Sequence, residues 1–115
     1  MKDIQGYEGC YAITEDGQVW SYYSKKFIAL SHKKDGYVEA LLSKGGVRKH
    51  YLVHRLVLMT YNPVEGMENL DVNHIDEDKS NNRIDNLQWT THRDNCNYGT
   101  RNEKIRLAKV ARDNL

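Results

Sequence analysis

Apolar and polar positions alternate through the first half of the chain and give way to a helical period near its middle. Residues 11–14 (Tyr-Ala-Ile-Thr) predict a short strand, 15–18 a turn with the Asp16-Gly17 signal, and 19–23 the partner strand. A second hairpin is predicted from 37–42 and 48–53 across Lys44-Gly45-Gly46, preceded by a turn at 33–36. Over 53–61 the period changes: Leu56, Val57, Met59 and Tyr61 fit a short buried helix that ends before Pro63. A loop follows at 62–70, then a strand at 71–75, a polar loop rich in Asn and Asp at 76–85, and a strand at 87–90. Thr91 reads as an N-cap, with Asp94 three positions on, and Gly99 as the stop of that helix. Thr100 and Glu103 form a fuller capping box, opening a final helix to about residue 114 with Ile105, Ala108, Ala111 and Leu115 on one stripe. There is no internal repeat and no low-complexity linker.

These elements predict an α+β fold: a β-rich antiparallel lobe over residues 1–52 and a second lobe over residues 53–115 with strand, loop, strand and capped helix in succession. A length of 115 residues suits one compact domain or two very small lobes. No stretch approaches the roughly 18 consecutive apolar residues that a membrane span needs. The start, Met1-Lys2-Asp3-Ile4, lacks the apolar run of a signal peptide. Cys10 and Cys96 form no CxxC pair, which excludes a cysteine-rich zinc site and is consistent with reduced thiols in a cytoplasmic protein.

Charge changes the picture more than composition does. The net charge is +1, yet residues 25–55 carry eight Lys or Arg against Asp35 and Glu39, a local +6. Residues 56–88 carry two basic and seven acidic side chains, a local −5. A basic block beside an acidic middle is compatible with phosphate contact as well as with an ordinary solvated surface. Lys33, Lys34, Lys44, Arg48, Lys49 and Arg55 are the candidates for contact with DNA. Five of the eight tyrosines fall within residues 1–37, where aromatics suit a half-buried sheet and can also face nucleic acid.

The chemistry gathers between Asp71 and Asn95. His74 falls on the first strand of the strand–loop–strand–helix unit, Asn86 just before the second, and Asn95 one turn into the helix. Histidine, with an unperturbed pKa of about 6.5, suits proton abstraction from water near neutral pH. Amide and carboxylate oxygens are hard ligands for an ion such as Mg²⁺.

The run Val72-Asn73-His74-Ile75-Asp76, then Asn81-Asn82, then residues 86–91 (Asn-Leu-Gln-Trp-Thr-Thr) and Asn95, resembles the HNH (ββα-metal) motif of phage and intron-encoded homing endonucleases. Val53-His54-Arg55-Leu56-Val57 with Tyr61 resembles the segment that precedes the motif there. Residues 4–9 (Ile-Gln-Gly-Tyr-Glu-Gly), with Tyr11, Ile13, Gly17, Val19 and Ser21, resemble the short module often fused to these nucleases. The resemblance implies a DNA endonuclease that leaves 5′-phosphate and 3′-hydroxyl ends. It implies His74 as general base, Asn73 and Asn95 as ligands of a divalent ion, Mg²⁺ or Mn²⁺, and Asn86 as a brace that orients the His74 region. Many relatives carry Asp where this chain has Asn73, and many carry His where it has Asn95, so the implied site consists of two neutral amides. The sequence runs to Leu115, one short helix past the motif, where longer relatives add a DNA-reading helical module; low sequence specificity is the expectation.

Other residues have two readings. His54 beside Arg55 reads as structural, opening a buried helix, with DNA contact as the alternative. His92 is either a substitute ligand or a solvated first-turn histidine, and His32 and His50 read as surface. Asp76, Glu77 and Asp78 are either groups behind the metal or a solvated acidic loop. Asp71 is the reserve charged ligand, and Trp89 reads as core. A DNA-binding relative that no longer cuts and a phage-assembly accessory remain alternatives, as do monomer and homodimer; nicking of supercoiled DNA discriminates between cutting and not cutting.

Overall fold

The structure, a computed structural model, describes residues 1–96, and of Asn95 and Cys96 the backbone alone. The Gly99 stop and the expected final helix lie outside the described residues. In chain order the strands are β1 (Lys2–Asp3), β2 (Tyr11–Ile13), β3 (Val19–Ser21), β4 (Lys26–Phe27), β5 (Ser31–His32), β6 (Val38–Lys44) and β7 (Val47–Leu52). Helix α1 (Val53–Tyr61), β8 (Asp71–His74), β9 (Leu87–Thr90) and α2 (His92–Cys96) follow, with 3₁₀ turns at Met67–Asn69 and Ile84–Asn86. The strands form three antiparallel sheets, in the orders β1-β2-β3-β4, β5-β6-β7 and β8-β9. The α+β expectation holds.

Three short strands have no counterpart among the predicted elements. β1, β4 and β5 are two residues each and exposed, so they carry no alternation to read. The second hairpin is tighter than predicted. Gly45 and Gly46 both take positive φ, +59° and +81°, so a two-residue turn closes the ladder directly at Lys44 and Val47. Two other strands are shorter than predicted, because Thr14 turns back to Gln18 and Tyr22 bonds to Cys10 outside the ladder.

Helix α1 follows β7 without a linker and packs against β1, β2, β6, β7 and β9. Val53, Leu56, Val57 and Leu58 are buried on it, and its Tyr61 hydroxyl donates to the Ile13 carbonyl at 2.6 Å. It ends at Asn62, whose φ of −142° and ψ of 59° leave the helical region before Pro63, as the residue preceding a proline does. One hydrophobic cluster joins Ile4, Ile13 and Val19 of the first sheet to Val38, Ala40 and Leu42, to α1, and to Val72 and Leu87 of the last sheet. The expected boundary between residues 52 and 53 therefore crosses a continuous core. Thr91 caps α2 as its sequence predicts: its hydroxyl accepts from the Asp94 amide at 3.1 Å.

Candidate active site

Strand β8 places Asn73 opposite Gln88 and His74 opposite Leu87. Successive side chains alternate across a strand, so His74 shares a face with Val72, toward α1, while Asp71 and Asn73 share the other, toward α2. His74 is only 6% exposed, and its Nε2 meets Asn82 Oδ1 at 2.9 Å. The His54 ring of α1 lies against it, centroid to centroid 5.0 Å, and Tyr37 at the mouth of β6 stacks on His54 at 5.3 Å. Lys79 closes this stack from outside, its ammonium 4.7 Å from the Tyr37 ring centre and bonded to the Asp35 carbonyl. Burial first, then the neighbouring His74 and Arg55, hold the His54 pKa down to about 3, so His54 is neutral near neutral pH. His54 is buried on α1, where its structural reading puts it, and its ring also lies against His74.

Asn86 bridges the loop that links β8 to β9. Its Oδ1 accepts from the Asp76 amide at 3.0 Å; its Nδ2 donates to Asp76 Oδ1 at 3.0 Å and to the Asn81 carbonyl at 2.9 Å. Its own carbonyl accepts from Ile75 N at 2.8 Å. These bonds lie in the loop that the resemblance assigns Asn86 to brace. Asp76 is held below its ordinary pKa chiefly by the Asn81 side-chain amide, and Asp78 by the Ser80 hydroxyl and backbone amide. Both carboxylates thus clamp their own loop.

For a divalent ion, the relevant atom is Asn73 Oδ1. Asn73 is buried, and its Nδ2 donates to Gln88 Oε1 at 2.9 Å, which leaves Oδ1 without a hydrogen-bond partner among the described residues. A buried amide oxygen with no donor is a suitable hard ligand. Among the described residues no three His, Cys, Asp or Glu side chains gather for a metal. Asn95 lies on α2, its side chain outside the described residues. Asp71, the reserve ligand, pairs with His92 Nδ1 at 2.8 Å.

The basic candidates divide. Lys33, Lys34, Arg48 and Lys49 are all exposed, and Lys33 also lies between Asp35 and Glu39, at 3.9 and 3.7 Å. Lys44 donates to the Gly6 carbonyl at 2.9 Å. Arg55 donates to the carbonyls of Leu70 and Met67 and lies over the Trp89 ring, so its guanidinium braces the loop before β8. The Trp89 indole N–H bonds to the Asn62 carbonyl.

A histidine on the first strand of a ββα unit, a braced connecting loop and an amide oxygen next to it in sequence are the arrangement expected from the HNH resemblance. Residues 51–96 match the family model described as HNH endonuclease. It is 44% identical over 95 residues to the DNA endonuclease I-HmuI of Bacillus phage SP01, covering 82% of this chain and 53% of that protein. It is 41% identical over 103 residues to the uncharacterized HNH endonuclease L245 of Acanthamoeba polyphaga mimivirus, covering 88% of this chain and 31% of that one. The fold matches the structure described as DNA binding and cleavage by the HNH homing endonuclease I-HmuI, with a TM-score of 0.78 and 38% identity, over 96% of this chain and 60% of that one. The chain thus spans about half the I-HmuI sequence and less of the mimivirus relative.

The site also contains residues whose importance sequence reading missed. Asn82 carries the His74 contact, and its only sequence signal is the Asn81-Asn82 pair within the motif. Tyr37, 37 positions upstream of His74, comes to it only through the packing of β6 on α1.

Proposed function

We propose that this protein hydrolyses phosphodiester bonds in DNA, with His74 as general base. The observation that carries the reading is the buried His74 ring, tied through Nε2 to Asn82 and with no partner for Nδ1 among the described residues. In that state Nδ1 accepts a proton from water as its oxygen attacks phosphorus. The P–O3′ bond breaks, the departing oxygen takes a proton from solvent, and the ends are a 5′-phosphate and a 3′-hydroxyl. Asn73 Oδ1 and Asn95 would hold the divalent ion, Mg²⁺ or Mn²⁺. When bound, that ion offsets charge on the phosphate and the departing oxygen. Asn86 keeps the loop, and so the end of β8, in place.

DNA lies along the basic β6–β7 hairpin in this reading. Arg48 and Lys49 are neighbours on β7 and project to opposite faces. A two-stranded ribbon fits the major groove. The setting would be the cytoplasm of a phage-infected or bacterial cell, with the enzyme acting as monomer or homodimer.

The test is conversion of supercoiled plasmid to nicked or linear DNA with Mg²⁺ or Mn²⁺. Wild-type protein should cut and His74→Ala should not, with DNA binding retained. Binding without cutting by the wild type under both ions would replace this reading with that of a DNA-binding relative that no longer cleaves.

A further inference from the structure

We infer that Asn82 is a positioning residue for His74, and that the Gly17 turn of the N-terminal sheet seats it there. The inference rests on His74 being the base, as proposed above. A neutral imidazole has one N–H and one lone pair, and which nitrogen is basic depends on what the other one bonds. His74 and Asn82 are each only 6% exposed and 2.9 Å apart, Nε2 to Oδ1. A buried acceptor left without its donor is costly, so this pairing selects the Nε2–H tautomer and leaves the lone pair on Nδ1.

Asn82 lies outside any helix or strand, between the acidic loop and the 3₁₀ turn at Ile84–Asn86, so no ladder fixes it. What fixes it is the first sheet. The Ile84 amide donates to the Glu15 carbonyl at 2.7 Å. A Cβ at Gly17 would lie 3.0 Å from Asn82 Cβ, 3.2 Å from Val53 Cγ1 and 3.4 Å from the Asn82 carbonyl. Gly17 also takes a φ of +90°, which the β2–β3 turn needs. One glycine therefore serves the hairpin turn and the close approach that presses Asn82 onto the base. The N-terminal sheet acts in this account as part of the catalytic scaffold, whatever it also does with DNA.

The test uses the full chain with ¹⁵N-labelled histidine and the same plasmid assay. In the wild type the His74 proton should sit on Nε2. Asn82→Ala should lose that preference and lower kcat by roughly 10- to 100-fold, the scale of a mispositioned general base, with KM and DNA affinity little changed. Asn82→Asp keeps an acceptor, so it should keep the tautomer and recover part of the rate. Gly17→Ala should move both readouts in the direction of Asn82→Ala. Should Asn82→Ala fail to fold, Asn82→Asp, Gly17→Ala and the wild-type tautomer carry the comparison. A wild-type ring protonated on Nδ1, or Asn82→Ala with wild-type kcat, would overturn the inference. A wild type that never cuts would sink the nuclease reading, and the tautomer measurement would still decide the role of Asn82.

Discussion

At the scale of single residues, the two histidines of the site are held in different ways. His74 is tied by a hydrogen bond; His54 lies beside it with a pKa held down to about 3 by burial. Because the folded state favours neutral His54, the unfolded chain binds its proton first on acidification. Stability should therefore be fully present above about pH 6.5, the ordinary histidine value, and fall as pH drops toward about 3, by a few kcal/mol at most. Chemical denaturation across this window should show that slope, and His54→Leu should flatten it; an equal slope in the variant would assign it to other groups. In the proposed site the metal would depend on a neutral donor, since Asn73 offers an amide oxygen and no charge. Free protein should bind Mg²⁺ weakly and DNA-bound protein more tightly, because the phosphate supplies the missing charge. Asn73→Asp should tighten metal binding to the free protein, with activity kept or raised, and calorimetric titration of the ion into free and DNA-bound forms measures both. Equal affinities in the two states would exclude the phosphate as a ligand. His74 and Asn73 were readable as candidates because they stand in a recognisable run. Asn82 stands in the same run, but its role was not readable, because nothing local to residue 82 shows that its side chain reaches back eight positions to a buried ring.

At the scale of elements, α1 organises the molecule. Its Leu58 is 1% exposed, and truncation to alanine should cost about 2–5 kcal/mol, the usual range for a buried leucine; urea denaturation gives the number, and a loss under about 1 kcal/mol would mean that the core collapses around the gap. The periodicity of 53–61 and the proline after it made this helix legible to the residue. The β6–β7 hairpin was legible through alternation and its glycine pair, but the use of its cations was not. Lys33, Lys34, Lys44, Arg48 and Lys49 are all exposed, but Lys33 and Lys44 are already engaged by Glu39 and the Gly6 carbonyl. Neutralising Lys34, Arg48 and Lys49 together should weaken DNA binding across sequences and flatten its dependence on salt, since each lost phosphate contact removes close to one unit of slope. Neutralising Lys33 and Lys44 should do less; the reverse order would show that DNA displaces their internal partners.

At the scale of the whole molecule, the two expected lobes share one core, and the first supplies the turn that holds the second lobe's Asn82. Unfolding should therefore be a single transition. Trp20 reports on the first sheet and Trp89 on the last, so variants retaining one tryptophan each should melt together. Separated midpoints would mean that the lobes are independent folding units. What the sequence determined by itself was local: the hairpin turns, the α1 period, the Thr91 cap, and a motif whose spacing puts His74 and Asn86 at the two ends of one loop. Each of these depends on neighbours within a few positions, where backbone preference and side-chain alternation act directly. The tertiary structure decided what meets across distance: Tyr37 and His54 against His74, Arg55 on the carbonyls of residues 67 and 70, and Gly17 against Asn82. Those contacts arise because burying α1 between three sheets draws separate segments onto one core, and packing of that kind leaves no period in the chain.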